Sequence, residues 1–263
     1  MKKYLVIGNP IQHSLSPKLH NYWISKNNIA ALYDKKKLDI SELKNLIKEV
    51  REKKIDGINV TVPFKNSVIP FLDKLSSEAE KTQSVNTIYL KDENVIGHNT
   101  DIEGFELAIK NINYDIADKQ VLLLGAGGVS PSIILALNNM KAKKILISNR
   151  TQSKAENLKK TFNELKVVEW GTIPDFDMII NATSLGLKID ENIEIDYSKI
   201  SSDKFFYDVI YNPSETNFLK FARKNGNKIE NGKKMFLYQA QASFKIWNIL
   251  EPKIDNDVME LLN

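Results

Sequence analysis

A glycine-rich turn between an apolar segment and a helical pattern is the feature that most limits how this chain can fold. Residues 121–124 predict a buried strand, Gly125-Ala126-Gly127-Gly128-Val129 follow at once, and residues 133–137 predict an apolar helix. Glycines at such a turn let the backbone approach a pyrophosphate, whose charge then lies at the helix N-terminus. Ser130 stands where a third glycine is usual, so the match is partial. The strand–turn–helix order still predicts a Rossmann domain that binds a dinucleotide.

The segment after this turn predicts which dinucleotide binds. An NAD site usually has an acidic residue about 20 positions on, which binds the ribose 2′-hydroxyl. Here no acidic residue lies between Asp118 and Glu156, and the next predicted strand ends in Asn149-Arg150-Thr151, with Lys154 one turn later. A guanidinium, an ammonium and a hydroxyl suit the 2′-phosphate of NADP. Without the glycine turn, the same residues would equally fit a strand end with solvated charges.

Length and composition fit a cytoplasmic protein of two domains. With 263 residues, 42% of them hydrophobic and 27% charged, the chain can build two ordinary cores. It has no cysteine, which excludes disulfides and thiolate zinc sites and fits a reducing compartment. We expect no signal peptide, because the apolar run before Asn9 is too short, and no membrane span. The net charge of +4 mildly favours anionic ligands.

Short apolar runs alternate with helical spacing along the chain, which predicts an α/β fold with parallel sheets. Ser16 and Pro17 predict a helix N-cap and first position, and a second helix is expected from Ser41. A long amphipathic pattern from Met235 to Trp247 predicts a terminal helix. Predicted strands are residues 4–8, 58–62, 85–90, 95–97, 121–124, 145–147, 178–180 and 205–210. The predicted domains are a substrate-binding domain at 1–102, a Rossmann domain at 103–233 and C-terminal helices at 234–263.

Polar side chains cluster around the predicted strand ends of the first domain. Taken singly, each cluster is better explained as turn chemistry or helix capping, and Asp101 alone as an N-cap. Together they supply hydroxyls, amides, one base and one acid, which is what a polyhydroxylated ring acid would need. The clusters are Ser14-Leu15-Ser16-Pro17, Asn59-Val60-Thr61-Val62-Pro63-Phe64-Lys65, Ser84-Val85-Asn86-Thr87 and Asn99-Thr100-Asp101.

These clusters, in this order, resemble the shikimate dehydrogenase family over nearly the whole chain. Besides the clusters and the glycine turn, the matching blocks are Asn149-Arg150-Thr151, Asn181-Ala182-Thr183-Ser184, Asp208 through Pro213, and Gly232 through Gln239 to Phe244 and Trp247. No single block is specific to this family, whereas nine blocks in this order are specific to it. Leu187, where methionine is common, and Ser130-Pro131 in the glycine turn are small departures.

The resemblance implies an N-terminal α/β substrate domain, a C-terminal Rossmann domain, a cleft between them, and terminal helices that return to the first domain. It implies that Lys65 and Asp101 are catalytic, that Ser14, Ser16 and Tyr211 hold a carboxylate, and that Asn59 supports the site. The implied substrate-binding residues are Ser14, Ser16, Asn59, Thr61, Lys65, Asn86, Asp101, Tyr211 and Gln239. The implied cofactor-binding residues are Gly125, Ala126, Gly127, Gly128, Val129, Asn149, Arg150, Thr151, Lys154, Thr183, Val209 and Gly232. No metal site is implied.

The implied reaction is the NADPH-dependent, reversible reduction of 3-dehydroshikimate to shikimate, in aromatic amino-acid biosynthesis. We expect a small-molecule substrate, no nucleic-acid or membrane partner, and a monomer or homodimer. A quinate/shikimate dehydrogenase with relaxed cofactor use is the nearest alternative, although an acidic residue beside Arg150 is missing. A non-catalytic NADP-binding sensor is a second, against which Lys65 and Asp101 argue. A short-chain dehydrogenase is disfavoured because Tyr22/Lys26 and Tyr33/Lys37 precede the glycine turn.

Overall fold

The structure is a computed structural model that describes residues 1–188 and 190–262. The chain forms two compact units. Unit 1 comprises Met1–Gly104 and the segment from Leu237 onward, and unit 2 comprises Phe105–Phe236. Both transitions between the units lie inside helices, at Asp101–Asn111 and at Lys233–Asn248. No described helix has both the length and the apolar character that a membrane crossing needs.

Unit 1 contains one mixed sheet with helices packed on it. The strand order is β2-β1-β3-β5-β6-β4. Its strands are β1 (Lys2–Gly8), β2 (Ala31–Lys37), β3 (Gly57–Val60), β4 (Lys74–Leu75), β5 (Thr87–Lys91) and β6 (Asn94–His98). Its helices are α1 (Ser16–Lys26), α2 (Leu43–Arg51), α3 (Ser77–Thr82), the start of α4 (Asp101–Asn111), most of α8 (Lys233–Asn248) and α9 (Asn256–Leu261).

The prediction of parallel sheets was wrong for two of the five strand pairs in this sheet, since β4 and β6 also pair in parallel. Strand β1 pairs in parallel with β2 and β3, but β3 pairs antiparallel with β5, and β5 pairs antiparallel with β6. The link between β5 and β6 is the pair Asp92-Glu93, and both residues have positive φ, 48° and 59°. Two central residues with positive φ form the tight turn that suits a hairpin. Such a short link leaves no room for the crossover that a parallel pair needs.

Two helix starts also differ from prediction by a residue or two. Ser16 is the first residue of α1 rather than its N-cap, which is Leu15, and its side chain lies on the buried side. Helix α2 begins at Leu43 rather than Ser41, because a short 3₁₀ turn precedes it. Glu42 accepts a hydrogen bond from the backbone N–H of Asp39 at 2.7 Å, which fixes that turn.

Unit 2 has the Rossmann architecture that the glycine turn predicts. Its strand order is β12-β11-β10-β7-β8-β9, and all of its neighbouring strands are parallel. The order reverses between β7 and β10, so their carboxyl ends form the switch point at which such sheets bind ligands. The strands are β7 (Gln120–Leu124), β8 (Lys144–Ser148), β9 (Lys166–Val168), β10 (Met178–Asn181), β11 (Phe205–Asp208) and β12 (Lys228–Glu230). The helices are α5 (Ser130–Asn139), α6 (Gln152–Thr161) and α7 (Asn217–Lys224).

The predicted terminal helix is confirmed, and it packs on the unit 1 sheet. Its residue Trp247 is buried, and its indole N–H donates to the carbonyl of Ile88 at 3.2 Å. The same ring lies over Gly57, where an added Cβ would come within 2.4 Å of it. Because Gly57 on β3 has no side chain, it leaves room for the Trp247 ring and so allows α8 to pack there.

Candidate active site

Strand pairing in unit 1 brings three distant polar clusters to one edge of the sheet. Asn59 at the end of β3 pairs with Thr87 at the start of β5, which pairs with His98 at the end of β6. The residues that follow β3, precede β5 and follow β6 are therefore neighbours. The backbone fixes this further, because Val85 N–H donates to the carbonyl of Lys65 at 2.8 Å.

Lys65 and Asp101 form a buried ion pair at this edge. Lys65 Nζ lies 2.5 Å from Asp101 Oδ2, and the two side chains are 10% and 9% exposed. The other oxygen of Asp101 accepts from Asn86 Nδ2 at 2.9 Å. Because a buried charge is costly without a partner, each of these two ions depends on the other. The pair combines a cationic proton donor with a fixed carboxylate.

Asp101 does not cap a helix through its side chain, although it begins α4. Its carboxylate faces Lys65 and Asn86, while its backbone N–H donates to Asn99 Oδ1 at 3.1 Å. The amide of Asn99 also donates to the carbonyl of Ser84 at 2.9 Å. Asn99 therefore does the capping, and the acid is left to pair with the lysine.

Asn59 connects the segments at this edge of the sheet through buried hydrogen bonds. Its side chain is 7% exposed. Its Oδ1 accepts from the hydroxyl of Tyr33 at 2.7 Å, and its Nδ2 donates to the carbonyl of Asn86 at 3.1 Å and to Ser243 Oγ at 3.0 Å. With these protein partners it suits a supporting role better than direct contact with a ligand.

Ser14, Ser16 and Thr61 lie after neighbouring parallel strands. The two serines follow β1, and Thr61 follows β3, with its backbone N–H donating to the carbonyl of Ile7 at 2.9 Å. Ser14 Oγ accepts from the backbone N–H of Ser16 at 3.3 Å. Since the carboxyl ends of parallel strands share one edge, these hydroxyls belong to the same side of the sheet as Lys65.

Gln239 reaches the same cluster from α8. Asn86 Nδ2 lies 3.4 Å from Gln239 Oε1, and the backbone carbonyl of Gln239 accepts from Ser243 Oγ at 3.0 Å. Unit 1 thus brings together Lys65, Asp101, Asn86 and Gln239, from segments separated by up to 174 positions.

In unit 2 the glycine turn has the form that a phosphate-binding loop needs. Gly125 has φ of 107°, and a Cβ there would lie 2.9 Å from the backbone of Ala182. At Gly127 the nearest atom to such a Cβ is 3.9 Å away, which leaves open space beside the loop. The N-terminus of α5 follows directly, and the positive end of its helix dipole suits an anion.

Ser130, which had no predicted role, and Asn149, which was predicted to bind the cofactor, hydrogen-bond to the backbone of this loop. Ser130, which replaces the third glycine, is fully buried; its hydroxyl donates to the carbonyl of Gly125 at 2.9 Å and accepts from Gly127 N–H at 3.1 Å. Asn149 Oδ1 accepts from Ala126 N–H at 2.9 Å. Ser130, the departure from the glycine pattern, is therefore a brace that stabilises the conformation of the loop.

The cations expected to select NADP lie at the end of β8, beyond this brace. Arg150, Thr151 and Lys154 are all exposed. Thr151 is the N-cap residue of α6, and its side chain makes no capping hydrogen bond. A hydroxyl and a helix N-terminus flanked by two cations suit a phosphate group, so the residues present fit NADP.

The carboxyl ends of β10 and β11 carry a second buried acid, Asp208. Its Oδ1 accepts from Asn181 Nδ2 and from the backbone N–H of Ile210, both at 3.0 Å, and its Oδ2 accepts from the hydroxyl of Thr216 at 2.5 Å. Burial raises the pKa of Asp208 to about 6, against the lowering effect of these three hydrogen bonds. Asn181 Oδ1 in turn accepts from the hydroxyl of Thr183 at 2.7 Å.

The remaining predicted cofactor residues of unit 2 follow β11. A Cβ added to Gly232 would come within 2.0 Å of the carbonyl oxygen of Val209, so the two backbones touch. Tyr211 stacks on Phe236 with ring centroids 4.5 Å apart. Asp208 lay within a matching block and Ser130 was a departure from one; neither had an assigned role, and the burial of each reveals one.

Family models match most of the chain. Residues 6–88 match the model described as the shikimate dehydrogenase substrate binding domain. Residues 106–216 match the model described as shikimate / quinate 5-dehydrogenase.

Individual relatives agree with these models. The chain is 58% identical over 262 residues to the NADP(+) shikimate dehydrogenase of Pelagibacter ubique, covering 100% of this chain and 99% of the relative. A shikimate dehydrogenase solved with NADP+ is 34% identical, with a TM-score of 0.92 and coverage of 100% and 94%. The Thermus thermophilus enzyme, solved with NADP(H) and shikimate, is 29% identical, with a TM-score of 0.90 and coverage of 100% and 98%.

Proposed function

Because the chain belongs to the shikimate dehydrogenase family, we propose that it catalyses the reversible, NADP-dependent interconversion of 3-dehydroshikimate and shikimate. Unit 1 binds the substrate and unit 2 binds NADP. The absence of cysteine from the sequence supports a cytoplasmic location. We expect a monomer or a homodimer, which light scattering of the purified protein distinguishes.

The buried Lys65–Asp101 pair carries this proposal. A surface lysine at this position would be explained by solvation. The side chain of Lys65 is instead only 10% exposed, and its Nζ lies 2.5 Å from the carboxylate of Asp101. Hydrogen-bond donors and acceptors surround the pair at the sheet edge, and they match a substrate with several hydroxyls. A non-catalytic sensor would not need a buried acid and base, so this observation favours an enzyme.

The proposed chemistry assigns each member of the pair a role. When bound, NADPH supplies the hydride that C3 of 3-dehydroshikimate receives. Reduction also requires a proton at the carbonyl oxygen. Lys65 stabilises the negative charge that grows on that oxygen and donates the proton from Nζ. Asp101 holds the ammonium in place and accepts from a substrate hydroxyl. A positioned acid–base group of this kind contributes about 10²–10⁴-fold in rate.

The other binding roles follow the positions of the residues in each unit. Ser14 and Ser16 bind the substrate carboxylate, supported by the N-terminus of α1 behind Ser16. Thr61, Asn86 and Gln239 bind the ring hydroxyls. Asn59 supports them through its buried hydrogen bonds. The substrate-binding role of Tyr211 rests on the family resemblance alone.

The proposed cofactor site in unit 2 has two parts. Residues 125–129 and the N-terminus of α5 hold the pyrophosphate, while Asn149, Arg150, Thr151 and Lys154 hold the adenosine 2′-phosphate. Val209, after β11, and Gly232, after β12, line the nicotinamide pocket, and Thr183, after β10, also binds the cofactor.

Initial rates of NADP+ and NAD+ reduction, each with shikimate and with quinate, test the proposal. We expect the highest kcat/KM for shikimate with NADP+. A higher value with quinate, or with NAD+, would support the relaxed quinate/shikimate alternative. Binding of NADP+ without turnover of either acid would support a sensor.

A further inference from the structure

A buried hydroxyl cluster lies beneath Gln239, and no step proposed above uses it. Ser243 Oγ, on α8, lies 2.8 Å from Thr87 Oγ1, 3.2 Å from Thr100 Oγ1 and 3.0 Å from Asn59 Nδ2. Ser243, Thr87 and Thr100 are fully buried. We call these three residues the hydroxyl cluster.

The hydrogen-bond capacity of Ser243 is completely used by this arrangement. A serine hydroxyl has one donor and two acceptor positions. Its proton goes to the carbonyl of Gln239, 3.0 Å away and one turn earlier in the helix. Its oxygen also accepts from Asn59 Nδ2 and contacts the hydroxyl of Thr87, where either oxygen can be the donor. Removing the hydroxyl would leave Asn59 Nδ2 and Thr87 Oγ1 buried without that partner.

The hydroxyl cluster connects directly to the residues proposed to bind substrate. Thr100 Oγ1 lies 3.1 Å and Thr87 Oγ1 lies 3.0 Å from Asn86 Oδ1. The amide nitrogen of Asn86 then lies 2.9 Å from Asp101 and 3.4 Å from Gln239. The contact at 3.4 Å is near the upper limit for a hydrogen bond, so a small shift of α8 would break it.

From these contacts we propose that Ser243 is a positioning residue for substrate binding. It sets the register of α8 on β3 and β5, and so places Gln239 against Asn86 beside the Lys65–Asp101 pair. The inference rests on the proposed function, because its readout is the handling of shikimate.

Helix α8 has a second anchor that serves as a matched control. Trp247, one turn after Ser243, donates its indole N–H to the carbonyl of Ile88 at 3.2 Å, and not to the hydroxyl cluster. Asn248 makes a milder anchor, accepting from the hydroxyl of Tyr4 at 2.8 Å. Losing either weakens the docking of the helix without removing a partner of Asn59 or Thr87.

The test compares Ser243→Ala with Trp247→Phe and Asn248→Ala in the full-length chain. We expect Ser243→Ala to raise KM for shikimate about 3- to 10-fold, the effect of one lost hydrogen bond, while Kd for NADP+ is unchanged. The two controls should lower Tm while leaving both constants near wild type. In a Gln239→Ala background, the Ser243→Ala change should alter kcat/KM less than about 2-fold, because the group it positions is gone.

Three outcomes would overturn the proposal. They are an unchanged KM for shikimate in Ser243→Ala, an equal rise in the two controls, and full additivity with Gln239→Ala. If Ser243→Ala does not fold, the isosteric Thr87→Val removes a partner hydroxyl and should give the same selective rise in KM, and no rise would overturn the proposal. A wild-type chain without activity on shikimate would instead overturn the proposed function, and this inference with it.

Discussion

The two units each bury an aspartate at the carboxyl end of a sheet, but they compensate its charge differently. In unit 1, Asp101 faces the ammonium of Lys65 at 2.5 Å. In unit 2, Asp208 is held by the amide of Asn181, the hydroxyl of Thr216 and the backbone N–H of Ile210, and these partners, among the described residues, are uncharged. Burial raises the pKa of Asp208 to about 6.

We propose that the difference separates a pair that takes part in the reaction from a residue that stabilises unit 2. A carboxylate beside a cation stays charged and keeps that cation oriented, which suits proton transfer. A carboxylate among neutral donors is costly when ionised, and it persists because it joins three segments of backbone. We therefore expect changes at the first acid to affect turnover and changes at the second to affect the stability of unit 2.

The largest effect is expected from Lys65→Ala. It should lower kcat about 10²–10⁴-fold with little change in KM for shikimate, because the ammonium acts mainly in the transition state. Steady-state kinetics measure this. Asp101→Asn should also lower kcat, and the double variant should lose much less than the sum of the two.

Lys53→Ala is the matched control for Lys65→Ala. Lys53 pairs with Glu93, but their side chains are 66% and 82% exposed, so its loss should leave both kcat and Tm near wild type. A near-normal kcat in Lys65→Ala would show that Lys65 takes no part in the mechanism. It would also contradict the contrast drawn between Asp101 and Asp208.

The next effect concerns the pH dependence of Asp208. Burial raises the pKa of Asp208 to about 6 from its ordinary value of 3.8, so its favourable contribution to stability is present below pH 3.8 and is lost as pH rises through 6. Relative to Asp208→Asn, the wild type should lose about 3 kcal/mol of unfolding free energy between pH 4 and pH 7. Urea unfolding of both chains across that range measures the difference.

The difference between the chains isolates this group. Burial lowers the pKa of His20 to about 3, so His20 destabilises the fold as pH falls below its ordinary pKa of 6.5. Because His20 is present in both chains, its contribution cancels in the difference between their unfolding free energies. A pH-independent difference between wild type and Asp208→Asn would show that burial does not raise the pKa of Asp208.

A smaller effect is expected at the exposed end of β8. Arg150→Ala should raise Kd for NADP+ about 10- to 100-fold, the effect of one charge-assisted hydrogen bond, and leave Kd for NAD+ almost unchanged. Titration with each cofactor tests it. Lys159→Ala, an exposed lysine further along α6, should change neither constant. Equal losses for the two cofactors at Arg150 would contradict a role in 2′-phosphate binding.

The smallest effect is expected from Ser130→Ala. Loss of the hydroxyl that braces Gly125 and Gly127 should cost about 1 kcal/mol of unfolding free energy and weaken NADP+ and NAD+ equally, since both share the pyrophosphate. Ser148→Ala, which removes a hydrogen bond to the carbonyl of Glu169 outside the loop, should lower stability alone. If Ser130→Ala left cofactor binding intact, the loop would hold its shape without the brace.

The sequence by itself determined the Rossmann unit. Its parallel strands are buried on both faces, so they appear as continuous apolar runs, and the glycine turn after β7 marks the loop that precedes α5. The acid-free stretch after that turn likewise predicted NADP without any structure. These signals are local, because each depends on residues close together along the chain.

Only the tertiary structure decided which polar residues act together. Asp101 alone fitted a helix cap, and the pairing of β3, β5 and β6 was needed to place it 2.5 Å from Lys65. Ser243 and Asp208 carried no pattern of their own, because a buried hydrogen-bond partner is defined by burial and distance rather than by spacing in sequence. The antiparallel pairing of β3 with β5 was missed for the same reason, because it depends on which segments distant in sequence pair.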